Sequence, residues 1–271
     1  MGVLTGDASS TNLSTMDTLH NEAIKEVVTD KAWGFRQKTK TLSTVASQQF
    51  YNLPADCGKV LNVTVLIGTT RYTPARVKTR EDWDRLNQST NVLSDTPERY
   101  FVFGKTIGFY PTPSSATSSA ITVSYQREVK DLSIADYTTG TITSIASGAT
   151  TVTGSGTSWT AQMAGRFIRI TDSNTANTGD GYWYEISSVT SATVLELVSP
   201  YNGTSIAAGT AAYTIGQTSI IPEDHQMTPL YRAVEIYFTA VQPESDRAAQ
   251  FKNLFLENKR RMQTELGSMA I

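Results

Sequence analysis

Apolar residues at Met16, Leu19, Ala23 and Val27 recur at helical spacing, and Ile24 and Val28 widen the stripe. This pattern predicts a helix capped by Asp17 or a neighbour and running to about Ala32. Trp33-Gly34-Phe35 reads as a glycine stop between two aromatics. The first dozen residues are small and polar, and are expected to be mobile until a partner ties them down. From Thr41 the period changes to that of strands. Phe50-Tyr51-Asn52-Leu53-Pro54 is a strand ended by proline. Val60 to Gly68 is a strong strand, and Arg71 to Val77 is expected to return antiparallel to it. Glu81 to Leu86 is a short acidic helix, and Tyr100 to Phe103 joins Ile107 to Tyr110 as a hairpin through Gly104-Lys105. Pro111 and Pro113 stop that strand before another begins at Ala120 to Tyr125.

Helical spacing resumes after Ile221-Pro222. Leu230, Val234, Tyr237 and Val241 form one stripe beside Ala233 and Phe238. Pro243-Glu244-Ser245-Asp246 breaks and recaps the chain, and a last helix carries Phe251, Leu254, Phe255 and Met262 with the basic cluster Lys259-Arg260-Arg261. Between these flanks, from Tyr137 to Thr218, charge nearly vanishes: only Arg166, Arg169, Asp172, Asp180, Glu185 and Glu196 remain. The candidate strands there are Thr141–Ile145, Thr150–Thr153, Arg166–Ile170, Tyr182–Ile186, Val194–Leu197 and Ala212–Ile215. Short strands separated by Gly, Asn-Gly and Ser-Gly predict a small antiparallel barrel or sandwich. A composition shift this sharp at both ends predicts a β-domain at 138–218 inserted into a core made of 1–137 and 219–271. The expected fold class is α+β: a helical bundle with an antiparallel sheet, plus the small all-β domain.

The 271 residues, 39% hydrophobic and 18% charged, suffice for one large domain or two ordinary ones. A formal net charge of −2 argues against a dedicated nucleic-acid binder. It suits a protein that DNA passes without sticking. Cys57 is the only cysteine, which excludes an intrachain disulfide and a thiolate zinc cluster. No signal peptide is read at the N-terminus, and no apolar run approaches the ~20 residues of a membrane span.

Candidate chemistry is sparse. Glu223-Asp224-His225 has the residue types of an acid/base group or metal half-site, but acids after Pro222 also suit the positive end of a helix. Gly154-Ser155-Gly156 lacks both a dinucleotide fingerprint and a phosphate loop, and reads as a hairpin turn. Asp172, Asn174, Asn177 and Asp180 lack the order and closing Glu of a calcium loop. Cys57 is expected to be a buried or idle thiol. Tyr182, Trp183, Tyr184 and Tyr201 serve either as barrel core, by alternation, or as a carbohydrate platform. Lys259-Arg260-Arg261 serves either as a contact for nucleic acid or an acidic protein, or as a solvated helix face. No catalytic, cofactor or metal constellation is assembled, and no enzymatic activity is expected.

Joined across the insert, the flanks resemble the head–tail adaptor (connector) proteins of tailed bacteriophages. The resemblance runs in order through the helix ending at Trp33-Gly34-Phe35, Phe50-Tyr51-Asn52-Leu53-Pro54-Ala55-Asp56, the hairpin Tyr100 to Tyr110, and Pro111-Thr112-Pro113. It continues through Ile121-Thr122-Val123-Ser124-Tyr125, Asp131-Leu132, Ile221-Pro222-Glu223 and the C-terminal helix. Gly154-Ser155-Gly156-Thr157-Ser158-Trp159, Tyr182-Trp183-Tyr184 and Ser199-Pro200-Tyr201 are similar to β-modules of phage structural proteins; a minimal adaptor lacks such an insert.

The resemblance implies a virion protein at the head–tail junction, assembled in the host cytoplasm. It implies a homo-oligomeric ring, usually a dodecamer, that joins the portal protein to a tail or nozzle protein and lines or surrounds the channel for double-stranded DNA. No membrane is involved. A C-terminal helix with an apolar stripe and a basic end fits a partner's groove. Portal docking is therefore expected at Phe251, Leu254, Phe255, Lys259, Arg260 and Met262. The alternative is a virion-surface binding module whose β-insert contacts host glycan or another structural protein.

Overall fold

The structure, a computed structural model, describes residues 10–88, 94–172, 178–207, 209–241 and 246–266. It divides into two compact units: Met1–Lys130 with Ile220–Ile271, and Asp131–Ser219. The architecture is mixed α+β.

In the first unit, α1 (Ser10–Thr29) begins well before Asp17, which therefore lies inside the helix rather than at its cap. The Ser/Thr-rich start masks this extent in the sequence, because such residues favour caps over helix interiors. Here a hydroxyl is turned back onto the helix, with Thr18 donating to the Ser14 carbonyl at 3.1 Å. The helix also stops without help from Gly34, which opens a 3₁₀ turn over Gly34–Arg36. Its end is closed by side chains instead. The Trp33 indole N–H donates to the Val27 carbonyl at 2.9 Å, and Arg36 donates to Val28 at 3.1 Å and to the Arg127 carbonyl at 3.1 Å. Arg127 returns a bond to the Phe35 carbonyl at 3.0 Å. Cations and donors at this end satisfy carbonyls that have no partner within the helix.

The strands follow as β1 (Gln37–Thr44), β2 (Phe50–Asn52), β3 (Cys57–Ile67), β4 (Thr70–Tyr72) and β5 (Ala75–Arg76). After the helix α2 (Arg80–Leu86) come β6 (Ser94–Asp95), β7 (Arg99–Phe103), β8 (Thr106–Tyr110), β9 (Thr112–Pro113) and β10 (Thr117–Arg127). They form a sheet of order β1-β10-β3-β4, a second of order β2-β8-β7-β5, and the two-stranded pair β6-β9. Ile121, Val123 and Tyr125 of β10 alternate inward and face Val60, Val63 and Val65 of β3. Tyr51, Ile107 and Phe109 complete the same core from the second sheet.

The expected return strand from Arg71 to Val77 is split in two. Only β4 pairs antiparallel with β3, while β5 pairs parallel with β7. Pro74, which lacks a ladder donor, separates them. The predicted hairpin is present as β7–β8, with Gly104 at φ +52° in its turn. Lys105 in that turn donates to the Ala55 and Cys57 carbonyls and pairs with Glu128 at 2.6 Å. Pro113 does not simply end the strand, because β9 pairs in parallel with β6.

The helix α2 starts on Thr79, whose hydroxyl accepts the Asp82 N–H at 3.2 Å. Its Trp83 packs on the second sheet with Phe50, Phe101 and Phe103. From the far end of the chain, a 3₁₀ turn at Glu223–His225 leads into α3 (Met227–Val241), followed by α4 (Arg247–Leu266). Ala233, Val234, Tyr237 and Phe238 of α3 bury against Met16 and Ala23 of α1, with Phe251 of α4 packed on the same cluster. The predicted break at Pro243-Glu244-Ser245 lies outside the described residues, as does the polar start through Ser9.

The second unit is one curled antiparallel sheet. Its strands are β11 (Thr141–Ser144), β12 (Thr151–Ser155), β13 (Phe167–Ile170), β14 (Trp183–Ser191), β15 (Val194–Leu197) and β16 (Tyr213–Gly216). The order is β11-β12-β15-β14-β13-β16. Bridges Ile142–Ala211 and Ile145–Ile206 tie the β11 edge to the chain running into β16. Alternation fills the interior with Val152, Ile168, Ile170, Tyr184, Ile186, Leu195, Leu197, Tyr213 and Ile215. Inside, the Trp159 indole donates to the Tyr213 hydroxyl at 2.9 Å, and that hydroxyl donates to the Thr139 carbonyl at 2.6 Å.

Two expectations test this packing. Burial pushes Tyr213 up to about 12 and Tyr201 to about 12, against an ordinary tyrosine value of 10.0. The folded state thus prefers both phenols neutral, so their contribution is complete below the unfolded value and is lost as pH rises towards the folded one. Urea midpoints for the second unit are expected to hold up to about pH 9 and to fall from about pH 10 to 12. Tyr213→Phe strands the buried Trp159 N–H, and is expected to cost about 1–3 kcal/mol at neutral pH and to flatten that alkaline slope. In the first unit, a β-carbon at Gly108 would lie 2.8 Å from Phe50 and 2.9 Å from Trp83. Gly108→Ala is expected to destabilise by about 1–3 kcal/mol in urea unfolding.

Candidate interaction surface

The apolar stripe of α4 points largely into its own unit. Phe255 and Met262 are buried, and Phe251 stacks on Phe238 at 5.9 Å between ring centres. Lys259 pairs with Asp30, just past the end of α1, at 3.1 Å, and lies over the Phe255 ring together with Arg232. Arg232 in turn bridges Glu26 at 2.9 Å and Glu235 at 2.8 Å. Of the six residues expected to dock on a portal, the structure leaves Leu254, 38% exposed, and Arg260 at the surface. Leu256, 40% exposed, joins them. The sequence pattern passed over Leu256 because it falls off the apolar stripe; i,i+4 spacing puts it on one face with Arg260.

The basic cluster is largely engaged as well. Arg261 pairs with Glu265 at 2.9 Å, which holds that carboxyl below its usual range. His225 is buried with its Nε2 3.2 Å from the same Glu265. Glu223 and Asp224 are exposed on the 3₁₀ turn ahead of α3 rather than on the first turn of the helix itself. Cys57 is buried, and burial pushes its thiol up. Asp180 accepts the Tyr182 N–H at 3.2 Å and the Tyr184 hydroxyl. Asn174 and Asn177 of the same stretch lie outside the described residues. Among the described residues no three His, Cys, Asp or Glu side chains converge, and no helix is long and apolar enough to cross a membrane.

Within β14, Trp183 and Tyr184 divide as strand alternation requires, while Tyr182 and Tyr201 lie outside the strands. Tyr184 and Tyr201 are interior and meet at 5.5 Å between ring centres. Trp183 faces outward, with the Arg169 guanidinium 4.9 Å from its ring centre. Tyr182, 68% exposed, leaves its ring open. A sugar platform needs open ring faces, and here Trp183 already has a cation over it.

A further feature gave no sequence signal. Arg76, Val77, Lys78, Asp82, Arg85, Leu86 and Arg99 line a cleft of about 410 Å³. The sole carboxylate of the lining, Asp82, lies 3.7 Å from Arg85. Arg76, Lys78 and Arg99 form no ion pair among the described residues. With Arg85 of α2, the cleft cations come from β5, the chain after it and the start of β7. They never form a run in the sequence, and only the parallel β5–β7 pairing gathers them.

A family model described as the SU10 adaptor protein matches residues 3–147. No curated protein matches the chain. The matched span holds α1, α2, every strand of the first unit and the first strand of the second unit. It also contains the hairpin, the Trp33 turn and the Phe50–Asp56 segment. With more than half of its length matched, the chain belongs to the SU10 adaptor protein family and is a structural adaptor of the bacteriophage virion.

Proposed function

We propose that copies of this protein form a ring that joins the portal to the next tail component and surrounds the path of the DNA. The observation that carries this reading is the adaptor family match over residues 3–147. In this reading α1, α3 and α4 act as a helical bundle that anchors each copy, and residues 138–218 act as an inserted β-domain decorating or laterally packing the neck. A net charge of −2 supports a channel component, since dense phosphate contacts would retain the genome during ejection. Portal docking is assigned to the exposed residues of α4, Leu254 on one flank and Leu256 with Arg260 on the other, because Phe251 packs on the α1–α3 cluster and Phe255 and Met262 are buried.

Electron microscopy of the purified protein with its portal tests both parts. Rings seated on the portal are expected for the wild type, and single, unattached copies would overturn the ring. A Leu254→Asp/Leu256→Asp/Arg260→Glu variant is expected to keep wild-type circular dichroism and to lose portal attachment by at least about tenfold. Attachment at wild-type strength would overturn docking by α4. Deleting α4 is the weaker test, since it also takes Phe255 and Met262 out of the core.

A further inference from the structure

Charge is divided unevenly between the two units. Residues 131–219 hold no lysine, and set Arg166 and Arg169 against Asp131, Asp136, Asp172, Asp180, Glu185 and Glu196. Both arginines are engaged: Arg166 donates to the Ala135 and Ile215 carbonyls, and Arg169 lies over Trp183. The second unit is therefore an acidic body, and the remainder of a chain of net charge −2 is on the basic side. Within that remainder one cleft gathers the four cations Arg76, Lys78, Arg85 and Arg99, and its walls also include apolar Leu86 and the largely buried Val77.

One segment of the acidic unit has the complementary chemistry. Residues 131–136 run Asp-Leu-Ser-Ile-Ala-Asp, with two carboxylates flanking Ile134. Ile134 is 53% exposed and Asp136 is exposed beside it, so both side chains are open to a partner. The segment is held in place, because the Ser133 and Ile134 N–H groups both donate to the Gln217 side-chain oxygen, at 2.8 and 2.7 Å. A fixed strap loses little conformational freedom on docking.

We infer that the cleft formed by β5, α2 and β7 receives the 131–136 strap of a second copy of this chain, so that Asp131 and Asp136 meet the cleft cations and Ile134 meets Val77 and Leu86. This inference rests on the ring reading. A cleft on one copy and a strap on the next form a head-to-tail contact, the kind that closes into rings. Arginine in the cleft suits carboxylate recognition through paired N–H donors. The remaining carboxylates of the acidic unit steer the encounter.

The test uses full-length protein and native mass measurement at matched concentrations. An Arg76→Glu/Arg99→Glu variant and an Ile134→Asp/Asp136→Lys variant are each expected to weaken self-association by at least about tenfold, and raised salt to weaken the wild type. Mixing the two variants leaves one intact cleft facing one intact strap, so a one-to-one pair that neither variant forms alone is expected. Circular dichroism on both variants checks that they are folded, and Arg76→Lys/Arg99→Lys is expected to retain most association. Wild-type rings that survive both variants, or a mixture that forms no pair, would overturn the cleft–strap contact alone. A wild type that stays monomeric with and without portal would overturn the ring reading and this contact together. If Arg76→Glu/Arg99→Glu abolishes binding to a short DNA duplex while rings persist, the cleft is a phosphate site and the inference fails.

Discussion

The first unit depends on one piece of packing: the N-terminal helix is covered by helices from the opposite end of the chain. Met16 and Ala23 of α1 bury against Ala233, Val234, Tyr237 and Phe238 of α3. Small residues on both helices permit close approach, so the larger side chains interlock around them. The ion pair from Arg232 to Glu26 spans 206 positions of sequence, and Lys259 reaches Asp30 in the same way. Closing so long a segment costs little more entropy than closing a moderate one, because the cost grows only with the logarithm of length. A whole β-unit can therefore occupy the interval between the two halves of the core.

The same packing decides which parts of α4 remain for a partner. A helix packed along α3 turns Phe251, Phe255 and Met262 inward, and Lys259 becomes a strut to Asp30, just past α1, rather than a free contact. Amphipathic spacing marks a residue as facing something apolar, but does not distinguish the chain's own core from a partner's groove. The expected docking set therefore mixes inward residues with surface ones, and Leu256 on the outer face was passed over. Tyr184 and Trp183 were easier to sort, since a two-residue period sends neighbours to opposite sides of a sheet.

Much of the fold was legible where the signal is local. The β7–β8 hairpin, the alternation of Ile121, Val123 and Tyr125, and the short strands of the second unit all follow from neighbouring residues. What escaped was set by distant partners. Neither the parallel β5–β7 ladder nor the β6–β9 pair has a turn to announce it. The start of α1 was hidden by Ser and Thr, whose cap preference is overridden in this helix, and its end is closed by Arg36 and Trp33 rather than by Gly34. The basic cleft belongs with these features, because strand pairing assembles it from residues 76 to 99.

The central requirement is that residues 10–130 and 220–266 form one cooperative body whose two segments need each other. The most direct measurement is urea unfolding, followed by near-ultraviolet circular dichroism, of a chain in which residues 131–219 are replaced by a flexible Gly/Ser linker. A single cooperative transition with native-like aromatic signal is the predicted result, and it should disappear when residues 220–271 are also removed. A transition that is unchanged by that second deletion would show the N-terminal segment folding alone, and would contradict the account.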